Sequence, residues 1–295
     1  MQNWPELPIA AWRDTYATLH LYTQVVGKVR LALVPKMNQW WNVPLYVTTR
    51  GLTTAPMPYG DRTVSIDFDF IDHALRIDDS DGRRRAIPLV ARPVAEFCHL
   101  VFDDLAFIDV EVPFDPMPQE CPVTVPLTKD VGHASYDPSQ ARAFFEVLRR
   151  VDTVFQLFRS RFRGKCSPVH FFWGSFDLAV TRFNGRRAPL RKSAIDRDAY
   201  DEEVISLGFW PGDDWTGATD ALFYSYTAPE PPGLASERLS PGAASFSAQM
   251  KEFVLPYEAV RRSADPAKEI LQFAESTYQA GARRAGWDIA ALAYP

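Results

Sequence analysis

Cysteine is scarce in this 295-residue chain: its three thiols, Cys98, Cys121 and Cys166, are odd in number, and none stands in a Cys-x-x-Cys pair. A disulfide framework is thereby excluded, and a reducing cytoplasm is the expected location. Residues 1–8 lack the apolar run of a secretory leader, since Trp4, Glu6 and two prolines occupy them. Long hydrophobic stretches are absent too; residues 9–34 are broken by Arg13, Asp14, His20, Lys28 and Arg30, so no membrane role is expected. There is no excess of positive charge, the net being −5, which argues against nucleic acid as a partner. Glycine, at 15 residues against 24 prolines, forms no GxGxxG, P-loop or GxSxG motif, leaving dinucleotide, nucleoside-triphosphate and α/β-hydrolase chemistry without a signature.

What is present is apolar and aromatic. The composition is 46% hydrophobic and 13% aromatic, enough for a large ordered core. Leu19, Tyr22, Val26, Val29 and Leu33 recur at helical spacing, predicting a helix over 10–34 that Pro35 ends. Residues 40–51 are aromatic and β-branched and read as a strand closed by Gly51. Val64, Ile66, Phe68 and Phe70 alternate with Ser65, Asp67 and Asp69, the pattern of a strand with one solvated face. Further strands are expected at 74–78 and 84–90, and Pro93 opens a helix to Leu105. The prolines between 107 and 138 mark a connection holding one or two short strands. Asp137-Pro138 starts a helix to about Arg163, strands follow at 169–183, 203–210, 221–227 and 244–256, and Asp265-Pro266 starts a closing helix to about Ala285.

The fold class read from this order is α+β, antiparallel sheets with long packing helices. Two halves, 1–112 and 138–295, flank a proline-rich connection at 113–137. Both run helix, strands, helix, and a shift of 132 superposes Trp41 on Trp173, Thr49 on Thr181 and Arg50 on Arg182, so an internal repeat is one reading.

Candidate chemistry sits where polar residues interrupt apolar segments. In 167–182, His170, Asp177 and Arg182 break an otherwise buried strand, and unpaired burial would cost several kcal/mol. A regular strand puts His170 and Arg182 on one face and Trp173, Ser175 and Asp177 on the other, unless a bulge at Gly174 changes the register. Either a shared pocket or separately satisfied core groups fits this pattern. His20, Gln24 and Lys28 form one stripe of the first helix, as a solvated face or a pocket wall. Glu203 is a carboxylate available to Arg182 or to solvent, and Tyr224 is a candidate wall residue. Metal ligation by Cys166 and His170, or by Cys98, His99 and His73, lacks suitable spacing, so no metal is expected.

Several strings together resemble a bacterial family catalogued as domain of unknown function 5996: His20 with 23–31, Asn38-Gln39-Trp40-Trp41, 50–54, 66–70, 170–182, 208–212, Tyr224-Ser225-Tyr226 and Glu230-Pro231-Pro232. The resemblance implies one full-length family and carries no activity or cofactor. Gln39 departs from the histidine of the family pattern. From the residues, the expected function is binding of an anionic or carbonyl-bearing small molecule, or acid–base catalysis on it, in an aromatic-walled pocket. His170 would be the acid–base group and Asp177 its partner. His20, Gln24, Lys28, Trp41, Arg50, Trp173, Arg182, Glu203 and Tyr224 would bind the ligand. The contrasting expectation is a non-catalytic interaction module whose buried polar groups serve only the core.

Overall fold

A computed structural model describes residues 4–213 and 220–294. Helix α1 (Ile9–Leu33) begins after Pro8 and ends as the chain becomes extended at Val34. It is buried on nearly every side from Thr15 to Arg30, so the stripe of His20, Gln24 and Lys28 is no solvated face: these residues are 1%, 0% and 5% exposed. A 3-10 turn at Asn38–Trp40 follows. The expected strand over 40–51 is reduced to β1 (Tyr46–Val47). Left-handed backbone at Gln39 and Trp40, φ 48° and 59°, turns the chain before it can extend.

The first sheet adds β2 (Gly51–Thr53), β3 (Met57–Tyr59), β4 (Arg62–Asp69), β5 (Ala74–Asp79) and β6 (Arg84–Pro88), in the order β1-β2-β4-β5-β6 with β3 also on β4, every pair antiparallel. The period-2 pattern read in the sequence works across the strands: Leu52, Phe68, Leu75 and Ile87 stand opposite one another in one buried row. Helix α2 (Val94–Phe107) follows Pro93. The connection from 108 to 137 contains turns and bends but no strand, contrary to the short strands expected there. Asp137 then caps α3 (Pro138–Ser160), accepting from the Ser139 and Gln140 amides with Pro138 in the first turn.

The second sheet is built from β7 (His170–Phe172), β8 (Asp177–Arg187), β9 (Glu202–Trp210), β10 (Leu222–Ala228), β11 (Ser245–Ser247) and β12 (Glu252–Pro256), in the order β11-β12-β10-β9-β8-β7. A short helix α4 (Ala194–Ala199) interrupts it between β8 and β9, and α5 (Tyr257–Arg261), α6 (Pro266–Arg284) and α7 (Ile289–Leu292) close the chain. The single strands expected at 169–183 and 244–256 are hairpins. In the first, residues 173–176 turn, with Phe176 at φ 58°, and β7 folds back on β8.

That turn resets the side-chain parity. His170 pairs with Ala179 and Phe172 with Asp177, so His170 and Asp177 share one face of the sheet while Arg182 lies on the other. The face carrying Leu178, Val180, Leu207, Phe209 and Phe223 is buried beneath α3 and α6, and one hydrophobic cluster is continuous from Trp4 to Trp287 across both sheets. The 132-residue shift does not place Thr49 and Arg50 in the same kind of element as Thr181 and Arg182. Thr49 and Arg50 occupy the bend between β1 and β2, whereas Thr181 and Arg182 lie within β8. No helix among the described residues is long and apolar enough to cross a membrane.

Candidate functional site

The other face of the second sheet is not closed by an apolar layer. Alternate residues of its strands, among them Asp177, Thr181, Ser206, Tyr224, Tyr226 and Glu252, line a cavity of about 1080 Å³, roofed by the end of α1, the segment 39–43, the connection near 113–120 and α4. A volume at the upper end of the usual ligand-pocket range leaves room for more than one ring system. Among the described residues, the tryptophans Trp40, Trp41, Trp173 and Trp210 face this space.

Two close approaches shape the walls. Trp173 lies against Gly27 of α1, where a Cβ would stand 2.3 Å from the indole, and donates its Nε1–H to the Val43 carbonyl at 3.0 Å. Tyr224 lies across Gly208 of the neighbouring strand, where a Cβ would meet the phenol ring at 2.0 Å. Any larger residue at 27 or 208 would displace a ring from the wall.

Tyr224 donates its hydroxyl to Asp177, which also accepts from the Ser175 hydroxyl. Burial nevertheless pushes the Asp177 carboxyl above the ordinary carboxylate range, and the same burial, together with the neighbouring Asp177, lifts the Tyr224 phenol well above 10.0. The Tyr224 and Tyr226 rings are stacked, 6.3 Å between centroids and 4° between planes, and the Tyr226 hydroxyl meets that of Tyr200 at 3.1 Å. Glu120 and Glu252 also face the cavity, and neither carboxylate has a hydrogen bond or ion pair among the described residues. Desolvation first, and then the charge of Asp177, raises both, Glu252 to about 7.

His170 stands in the same wall, 2% exposed, between the rings of Trp41, Tyr46 and Phe172 at 5.9, 5.7 and 5.4 Å. Neither ring nitrogen has a hydrogen-bond partner among the described residues. Desolvation, with the charges of Arg30 and Arg159 behind it, lowers His170 to about 3, so it is neutral at pH 7. It does not touch Asp177 by a hydrogen bond, so the expected His–Asp pair is not formed; the carboxylate is engaged by Ser175 and Tyr224 instead.

The remaining sequence candidates divide in two. Trp41, Trp173 and Lys28 join His170, Asp177 and Tyr224 in the wall. Lys28 lies 3.8 Å from Asp115 and 5.9 Å from the Trp173 ring centre, and burial lowers its pKa. His20 and Gln24 sit one layer behind. His20 donates Nε2–H to the Gly174 carbonyl at 2.9 Å, and burial lowers it to about 4. Gln24 grips Gln119 twice, donating to its carbonyl at 2.8 Å and accepting from its amide at 2.7 Å, which fixes the segment that delivers Glu120.

Three candidates lie elsewhere. Arg50 pairs with Asp69 at 2.6 Å and Asp72 at 2.8 Å on the first sheet. Arg182, 1% exposed on the opposite sheet face, donates to the Phe158 carbonyl, approaches Glu275 at 3.7 Å and stacks on the rings of Phe158 and Tyr278 at 3.4 and 4.4 Å. Glu203 accepts from Asn184, Arg186 and Trp287. Gln39 lines the cavity and donates to Asp201 at 2.5 Å. Among the described residues no group of three or more His, Cys, Asp or Glu side chains is arranged to hold a metal ion.

Sequence reasoning did not single out Glu120, Glu252 or Tyr200. Glu252 had a readable signal, a charged residue in phase with Val254 on a strand whose alternate positions are apolar. Glu120 had none, since its place depends on long-range contacts of the connection, among them Gln24 with Gln119 and Lys28 with Asp115.

A family model described as "Family of unknown function (DUF5996)" matches residues 4–294, and the chain belongs to that family. No curated protein and no solved structure matches it.

Proposed function

We propose, since membership of this family brings no activity with it, that the chain binds a small organic molecule in the cavity over the second sheet and is equipped to exchange a proton with it through Glu252. The observation that carries this reading is the composition of the open sheet face. A sheet face closed for stability alone is covered by apolar side chains, yet here it carries tyrosines, hydroxyls and carboxylates around about 1080 Å³ of space. The unpartnered nitrogens of His170 support the same reading, because a buried imidazole without a partner costs roughly 1–3 kcal/mol and fold stability alone gives no reason to keep it.

Glu252 suits the acid–base role better than His170. A general acid or base works best with a pKa near the operating pH, and Glu252 is raised to about 7 whereas His170 is lowered to about 3. The ligand-binding role expected of Arg50 and Arg182 has no place in this reading, because neither lines the cavity. The three free thiols are consistent with work in a reducing bacterial cytoplasm.

The test uses the wall tryptophans as reporters. A library of small aromatic and aliphatic compounds titrated into the full chain is expected to yield ligands that quench tryptophan fluorescence. Val254→Trp, which fills the cavity from β12, is expected to abolish that binding while keeping cooperative unfolding. Ligands that bind the folded variant as tightly as the wild type would refute the assignment of the cavity.

A further inference from the structure

Resting on the cavity as the binding site, we infer that its preferred ligand is a small organic cation, an ammonium group carried on an apolar body. Among the described residues, formal charge on the wall is one-sided: Asp115, Glu120, Asp177, Asp196 and Glu252 face the cavity against a single ammonium, Lys28. Lys28 is already occupied, close to Asp115 and over the Trp173 ring, so it does not neutralise the carboxylates deeper in the space. Arg182 and Arg50 are spent on Glu275 and on Asp69 and Asp72 outside it. His170 brings no charge, being buried among aromatic rings with both nitrogens unpartnered.

The geometry of the three inner carboxylates suits a guest rather than the fold. Asp177 is held rigid by Ser175 and Tyr224 and lies near enough to Glu120 and Glu252 for its charge to oppose ionisation of both. Carboxylates gathered in a partly desolvated space repel one another, and an ammonium placed among them would remove the repulsion and donate charge-assisted hydrogen bonds to them. Glu120 comes over the hairpin turn, its Oε2 where a Cβ on Gly174 would be only 2.6 Å away, so the absence of a side chain there leaves room for the carboxylate. The aromatic walls add the second half of an ammonium site. The parallel Tyr224 and Tyr226 rings, with Trp41 and Trp173, present electron-rich surfaces, and these hold cations more strongly once water is displaced. An anion would meet the same surfaces and the same carboxylates as repulsion.

Three probes of one shape separate charge from fit: phenethylammonium, 2-phenylethanol and 3-phenylpropionate, each titrated into the full chain at pH 7.5 with tryptophan fluorescence and ligand-observed NMR as readouts. Phenethylammonium is expected to bind at least about ten-fold more tightly than the alcohol, the worth of one charge-assisted hydrogen bond, with the carboxylate weakest. Glu252→Gln and Glu120→Gln, at positions with no partner in the fold, are expected to weaken the ammonium about ten-fold and leave the alcohol unchanged. Equal binding of ammonium and alcohol, or stronger binding of the carboxylate, would overturn the charge preference while leaving the cavity as the site. Failure of all three at millimolar concentration would overturn the site together with the preference.

Discussion

Replacing His170 by Phe should make the protein more resistant to acid, by an amount that follows from the burial of the imidazole. An unfolded histidine titrates near 6.5, whereas the native ring, buried between Trp41, Tyr46 and Phe172 without a partner, titrates at about 3. Because the native pKa is depressed, the unfolded state binds the proton more readily, and stability contributed above pH 6.5 is lost as pH falls towards 3. At pH 5 the difference is about 2 kcal/mol, from the ratio of the two protonation equilibria. Wild-type protein should therefore lose about 2 kcal/mol more than H170F between pH 8 and pH 5. His20 and Glu252 also titrate across this range, but they are present in both proteins and cancel in the comparison. The assay is urea unfolding followed by tryptophan fluorescence at pH 8, 6.5 and 5. Identical pH dependence in the two proteins would show that the ring is solvated or partnered, and the description of the cavity wall would fail with it.

Glu252 gives the opposite sign. Its native pKa of about 7 lies above 4.5, so its contribution is full below pH 4.5 and is lost as pH rises to about 7; E252Q should gain about 2 kcal/mol more over wild type at pH 8 than at pH 5 in the same urea series. Tyr224→Phe removes one of the two side-chain donors to Asp177 and should cost about 1–3 kcal/mol, read as a lower melting temperature; an unchanged melting temperature would show that the bond adds nothing to the fold. Arg182→Met should lower the melting temperature through loss of its bond to the Phe158 carbonyl and its stacking on three aromatic rings, yet leave ligand affinity in the cavity within about two-fold, because the residue lies across the sheet. A large affinity loss in R182M would place the arginine in the site after all.

The helices were readable because their signals are local. Asp137 and Asp265 cap the two helices that the Asp-Pro pairs announced, and the helical spacing within 10–34 marks α1 to within a residue at each end. The alternation in β4 was equally plain, since one face of that strand meets the core and the other does not. What misled was aromatic content inside turns. Trp173 and Phe176 read as strand residues, but they form a hairpin turn, and the lost parity put Arg182 on the wrong face. Trp40 failed in the same way, as an aromatic residue in a left-handed turn.

Half of the site was legible for a different reason. His170, Asp177 and Tyr224 stand out because polar groups in apolar strands need an explanation, and the cavity supplies one. Glu120 was hidden because a proline-rich connection carries no periodicity, and its position depends on a contact across 95 residues between Gln24 and Gln119. Of the polar stripe of α1, left open between a solvated face and a pocket wall, Lys28 reaches the cavity, whereas His20 and Gln24 hold the turn and the connection that shape it.

The central claim is that the open face of the second sheet is a ligand site, and crystallographic fragment screening tests it most directly. Crystals of the full chain soaked in a chemically mixed set of small fragments should show bound density repeatedly between Trp173, Tyr224 and Glu252, with amine-bearing fragments over-represented. Fragments that bind elsewhere on the molecule while this cavity stays filled only with water, or is closed by its own side chains, would contradict it.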